Sequence, residues 1–172
     1  MHRYLPKQYY KDIFSVSYDK LKQNGITCLL FDLDNTLATM EETMPNQKVK
    51  DLFEMLKKDF QIVIVSNSFK KRVLPFATIL GVDYIAFAKK PFGFSIRKIM
   101  KKYNVTPAQI AIIGDQFMTD MALGNKKGIW TIFVDALGLK DLKVTSFNRK
   151  LENKIMKKYQ QQQLFERGNY YE

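Results

Sequence analysis

The sequence predicts an α/β fold built on one parallel sheet, and three observations predict it. Short apolar runs of strand-forming residues recur five times. Between them, apolar residues repeat at i, i+3, i+4 and i+7, the spacing that gives a helix a single buried stripe. Each of the first four runs stops abruptly at polar residues, as buried strands do where they reach a functional edge. Strands alternating with helices imply a parallel sheet of about five strands, right-handed crossovers and helices on both faces.

The elements follow in order. Residues 2–24 interleave Tyr4, Leu5, Tyr9, Tyr10, Ile13 and Phe14 with Arg3, Lys7 and Lys11. Two readings stay open: an aromatic, basic segment lying on a membrane interface, or a short helix packing its Tyr10, Ile13 and Phe14 face on the domain. Asn24-Gly25 reads as a turn into the first strand. That strand ends at Asp32, with Asp34 and Thr36 just beyond. Side chains alternate along an extended chain, so Asp32 and Asp34 are expected to point the same way. Two carboxylates so placed repel each other unless a cation is near.

Residues 38–45 form a loop, and the next helix carries Val49, Leu52, Phe53 and Leu56. Residues 61–65 are the second strand, ending at Ser66-Asn67-Ser68. A helix with Val73, Phe76, Ala77 and Leu80 is closed by Gly81. The third strand, residues 84–88, ends at Lys89-Lys90-Pro91. A helix with Ile96, Ile99, Met100 and Tyr103 precedes a capping-box pattern at Thr106-Pro107-Ala108-Gln109. The fourth strand, residues 110–113, ends at Gly114-Asp115. A helical stretch over residues 119–127 leads to the fifth strand, residues 130–134. Further on, Leu151, Ile155 and Tyr159 line one side of a basic helical segment. Residues 1–159 read as one domain and the polar tail, residues 160–172, as disordered.

Composition excludes several classes. No apolar run approaches the roughly 20 residues of a spanning helix. Cys28, the single cysteine, lies inside an apolar run, so disulfides and zinc-thiolate sites are out. His2 is the only histidine, which argues against histidine chemistry. Without an apolar leader at the N-terminus, a cytoplasmic location is expected. The net charge of +11 points to a polyanionic partner: nucleic acid, an acidic membrane or a phosphorylated ligand.

The strand ends carry the chemistry. They supply Asp32 and Asp34, then Ser66, then Lys90, then Asp115 with Asp120 just beyond. Metal-assisted phosphoryl transfer needs this inventory: a carboxylate nucleophile, a second carboxyl as acid and base, a hydroxyl and a lysine on the phosphate, and an acid to complete an all-oxygen Mg²⁺ site. Oxygen ligands suit Mg²⁺ better than zinc.

At Asp32-Leu33-Asp34-Asn35-Thr36, Ser66-Asn67, Lys90-Pro91 and Gly114-Asp115 through Asp120, the chain resembles the haloacid dehalogenase superfamily of aspartate-nucleophile phosphatases, whose sheet is Rossmann-like. More closely it resembles the capless IIIA subfamily of YqeG type, which is similar to phosphatidylglycerophosphate phosphatases. That likeness includes Phe147-Asn148-Arg149-Lys150. The resemblance implies roles. Asp32 would attack phosphorus, and Asp34 would serve as acid and base. Asp32, the Asp34 carbonyl and Asp115 would hold Mg²⁺. Ser66 and Asn67 would bind the phosphoryl group and Lys90 would neutralise it, with Thr36 and Asp120 in support.

Spacing narrows the substrate. Members acting on small metabolites commonly carry a cap domain, yet only 29 residues separate Thr36 from Ser66 and 23 separate Ser66 from Lys90. The predicted elements fill both intervals, leaving an open site for a phosphate on something large, such as a lipid. The alternative is a nucleic-acid or ribosome-associated basic protein, contacting its partner through Arg149 to Lys158, whose phosphatase site is secondary.

Overall fold

The computed structural model describes residues 3–138 and 145–172; His2 and the side chains of Phe147, Asn148 and Arg149 lie outside the described residues. Six strands form one sheet: β1 Gln8–Tyr10, β2 Cys28–Phe31, β3 Gln61–Val65, β4 Asp83–Ile85, β5 Ile110–Gly114 and β6 Trp130–Val134. Their order is β1-β6-β5-β2-β3-β4, and every pairing is parallel. The helices are α1 Tyr18–Gln23, α2 Gln47–Leu56, α3 Lys70–Leu80, α4 Phe94–Tyr103, α5 Ala122–Lys127 and α6 Thr145–Gln161.

The sheet is buried on both faces, which is why its strands read as continuous apolar runs. Alternation sends Leu29 and Phe31 to one side, where they join Phe53 of α2 and Val73 and Phe76 of α3. Cys28 and Leu30 go to the other, with Ile96 and Ile99 of α4 and Leu123 of α5. Cys28 is a core residue, and burial pushes its thiol up to about 12. Local signals set the boundaries. The Asn46 side chain accepts from the Val49 amide at the start of α2, Gly81 closes α3 with φ of 62°, and the Gln109 side chain accepts from the Thr106 amide at the predicted capping box.

Three expectations need correction. The sheet has six strands, not five, because Gln8–Tyr10 pairs with β6. This edge strand is three residues long and carries no alternation to betray it. Its burial overturns the membrane reading of the N-terminal segment and corrects the packing reading in form: Tyr10 and Ile13 do pack on the domain, but from a strand and the turn after it rather than from a helix. Tyr9 and Tyr10 are buried core residues, unable to face a membrane, and of that cluster only Phe14 is exposed. Lastly, the tail is ordered. Tyr9 and Tyr171 exchange backbone hydrogen bonds of 2.8 and 3.0 Å in an antiparallel bridge. Phe165 is buried against Tyr9, Phe117 and Phe133. Its glutamines suggested disorder, but four apolar or aromatic residues among them cover the edge of β1, which would otherwise expose unpaired backbone groups. Among the described residues no helix is long and apolar enough to cross a membrane.

Candidate active site

The chain runs from β2 outward through β3 and β4, then returns to β5 and β6 on the other flank of β2. Strand order therefore reverses between β2 and β5, and in an open α/β sheet ligands bind at the carboxyl ends of the strands at that point. Phe31 pairs with Ile113, so the residues leaving these two strands, Asp32 and Asp115, stand side by side at the crevice.

Lys90 is the hub. Its Nζ donates to Asp32 Oδ1 and Asp120 Oδ1, each at 2.6 Å, and all three residues are buried. The loop after β4 aims it there: the Lys90 amide donates to Asn67 Oδ1 at 2.7 Å while Asn67 Nδ2 donates to the Lys90 carbonyl at 3.2 Å. Ser66 is buried, its carbonyl accepting from the Ala88 amide and its Oγ from the Ser68 amide. Thr36 Oγ1 donates to Asp115 Oδ1 at 3.1 Å.

Asp120 reaches the cluster through two local features. It sits on a π-turn, Phe117–Met121, in which the Met121 amide donates five residues back to the Gln116 carbonyl. Such wide turns recur at functional sites because they re-aim one side chain. It also needs Gly114, where a Cβ would stand 2.4 Å from Asp120 Cγ.

One oxygen from each of Asp32, Asp115 and Asp120 lies within 4.8 Å of the others. Three buried carboxyls thus face one lysine, and the acids bear the imbalance. Burial is the leading cause that pushes Asp32 up to about 7; repulsion from Asp120 and Asp34 adds to it and Lys90 opposes it. Burial, then Asp32 and Asp120, holds Asp115 well above the usual carboxylate range. Burial alone would lower Lys90, but Asp120 and Asp32 outweigh it, so the lysine stays charged. An oxygen-only, buried donor set with excess negative charge fits a hard divalent cation.

Asp34 does not join this cluster. The chain leaves the strand at Phe31 and turns through Asn35, with φ of 63°, so strand alternation no longer governs where Asp34 points. Its carboxylate accepts from Ser68 Oγ at 2.5 Å and from Arg72 Nε at 2.9 Å. Arg72 also donates to the carbonyls of Thr39, at 2.8 Å, and Glu42. Ser68 and Arg72 are the site residues that sequence reasoning missed. Arg72 is one turn into a helix otherwise read for its apolar stripe, and nothing in its spacing announced a partner 38 residues earlier.

Comparison with known proteins agrees with this geometry. The family model described as Mitochondrial PGP phosphatase matches residues 1–138. The chain belongs to the PGP phosphatase family. The Bacillus subtilis (strain 168) protein named "Probable phosphatase YqeG" is 32% identical over 154 residues, covering 89% of this chain and 90% of its own. Phosphatidylglycerophosphate phosphatase 1, chloroplastic, of Chlamydomonas reinhardtii is 27% identical over 77% of this chain and 53% of its own length. Of solved structures, the cobalt-bound deoxy-D-mannose-octulosonate 8-phosphate phosphatase of Haemophilus influenzae superposes with a TM-score of 0.54 at 17% identity, covering 79% of this chain and 90% of that one. A Porphyromonas gingivalis protein described as a predicted HAD-like family hydrolase gives 0.53 at 13% identity, over 74% and 98%. This PGP phosphatase family member is thus a phosphomonoesterase on a haloacid dehalogenase-like fold. The intervals from Thr36 to Ser66 and from Ser66 to Lys90 hold α2 with β3 and α3 with β4 and, among the described residues, no inserted cap.

Proposed function

We propose that this chain is a Mg²⁺-dependent phosphatase that works through an aspartyl phosphate on Asp32 and takes its phosphate from a lipid headgroup, phosphatidylglycerophosphate. The observation that carries the reading is the Asp32–Lys90–Asp120 arrangement beside Asp115 at the open end of the sheet. Asp32 attacks phosphorus, forming its Oδ–P bond as the bond to the leaving oxygen breaks. Lys90 holds the attacking carboxylate in place and offsets charge on the phosphoryl oxygens. Ser66 and Asn67 line the phosphate position, and Asn67 also fixes the backbone of Lys90.

Asp34 gives a proton to the leaving oxygen and then takes one from the water that cleaves the aspartyl phosphate. Ser68 and Arg72 hold its carboxyl between those steps. Asp32 and Asp115 would hold Mg²⁺, with the Asp34 carbonyl, and Asp120 supports them through Lys90. The ion would neutralise phosphoryl charge and the mutual repulsion of the carboxylates. Absence of a cap and the names of the relatives support a lipid substrate, hydrolysed at the surface of an anionic membrane. A phosphate-release assay on phosphatidylglycerophosphate, a nucleotide, a sugar phosphate and a phosphoprotein, with and without Mg²⁺, tests this. Preference for the lipid is expected; release from every substrate except the lipid, or full activity in excess chelator, would overturn it.

A further inference from the structure

The carboxyl edge of the sheet carries an apolar surface that the chemistry leaves unused. Phe69 is 73% exposed, Phe87 56%, Phe92 64% and Phe94 64%. Each lies within four residues of Ser68 or Lys90 in the chain. Phe69 caps the start of α3 just after Ser68, the Phe87 amide donates to the Ser68 carbonyl at 2.8 Å, and the Phe92 amide donates to the carbonyl of Lys89, next to Lys90. Phe69 and Phe87 stack on each other, with centroids 5.7 Å apart and planes 9° apart. Exposed lysines lie among them: Lys70 and Lys71 follow Phe69, and Lys89 places its Nζ 5.4 Å from the Phe87 ring centroid. Isolated exposed apolar residues are ordinary, but the stacked pair Phe69 and Phe87, with Phe92 in the loop after Lys90 and Phe94 at the first position of α4, concentrates exposed rings around one open site and asks for a partner.

We propose that this aromatic and basic rim docks the active site face-down on an anionic lipid bilayer, the rings entering the headgroup layer and the lysines meeting lipid phosphates. The proposal rests on the lipid-phosphate reading above and gives it a surface. Charge complementarity selects the occupant. The chain carries +11, and rim lysines beside rings that insert give both terms of interfacial binding. A second copy would set lysines against lysines across a two-fold contact. A nucleic acid would stack its bases on ring faces, but Phe69 and Phe87 already spend one face each on one another. Tyr9 and Tyr10, which the sequence offered as part of the membrane contact, are buried elsewhere.

The test is co-sedimentation of the full chain with vesicles of equal parts phosphatidylglycerol and phosphatidylcholine, against pure phosphatidylcholine and against retention on RNA at the same ionic strength. Variants are Phe69→Ser/Phe87→Ser/Phe92→Ser, with Phe92→Ser alone at its exposed position in case the triple variant fails to fold. The control is Met55→Ser/Ile79→Ser, which removes comparable exposed apolar groups from the distal halves of α2 and α3, at the opposite edge. Wild type is expected to bind the anionic vesicles and not the neutral ones. The triple variant should lose about tenfold or more of that binding, and the single variant a smaller part. The control should bind like wild type.

Equal binding by wild type and triple variant overturns the proposal. So does RNA retention without vesicle binding, or a rim that acts only in self-association on gel filtration. Phosphate release from detergent-dispersed phosphatidylglycerophosphate without vesicle binding sinks the docking face and spares the substrate. Rim-dependent vesicle binding without lipid phosphate release does the reverse.

Discussion

Replacing Lys90 with methionine keeps the length of the side chain and removes the cation that two buried carboxylates share. At 2.6 Å and an effective dielectric near 20, each pair is worth about 6 kcal/mol of gross attraction. Desolvating lysine and acids cancels several kcal/mol per ion, which leaves about 3–5 kcal/mol as the cost of deleting one partner of a buried pair. For a domain of this size that is a fall in Tm of about 6–20 °C. The sign of the pH dependence is fixed as well. Asp32 and Asp115 are already raised by burial and mutual repulsion, and losing Lys90 removes the charge that opposes the rise of Asp32, raising it further. An acid whose folded pKa is raised destabilises the fold above that pKa, and the penalty fades as pH falls towards the ordinary carboxylate value. Thermal unfolding of the metal-free protein followed by circular dichroism should therefore show Lys90→Met far below wild type at pH 8 and much closer to it at pH 5. A gap that is small at pH 8, or that widens on acidification, would refute the electrostatic account of this cluster.

Other outcomes follow from the same geometry. Arg72→Lys cannot keep the bonds to Asp34, Thr39 and Glu42 together, so kcat on substrates with poor leaving groups should fall by about 10- to 100-fold while good leaving groups are nearly spared; equal loss on both would remove Arg72 from the proton transfer. Phe165→Ala empties a site packed 4.8 Å from the Tyr9 ring and should cost about 3–5 kcal/mol, read as a lower Tm; an unchanged Tm would mean the tail contributes nothing to the fold. Mg²⁺ should raise Tm more at pH 8 than at pH 6, because protons held by Asp32, pushed up to about 7, compete with the ion; a shift that is larger at pH 6 contradicts this.

What was legible in the sequence was whatever depends on burial and on chain order. Central strands buried on both faces wrote themselves as apolar runs, and the bounds 61–65 and 130–134 coincide with β3 and β6. The residues at the strand ends converge because parallel strands deliver their carboxyl ends to one edge. Features set by contacts distant in sequence were not legible. β1 exists because β6 and Tyr171 pair with it, and the order of the tail depends on Tyr9, Phe117 and Phe133. The rotation of Asp34 towards Arg72 follows from the turn at Asn35 and a guanidinium on a later helix, neither of which an Asp-x-Asp spacing encodes.

The central claim is that Asp32 is the nucleophile, and trapping the phosphorylated enzyme tests it most directly. A brief incubation with substrate and Mg²⁺, an acid quench and peptide mass spectrometry should place one phosphoryl group on Asp32, labile to hydroxylamine as an acyl phosphate is, and absent from Asp32→Asn, which is expected to fold without turning over. Phosphate on another residue, or turnover by Asp32→Asn at the wild-type rate, would contradict the account.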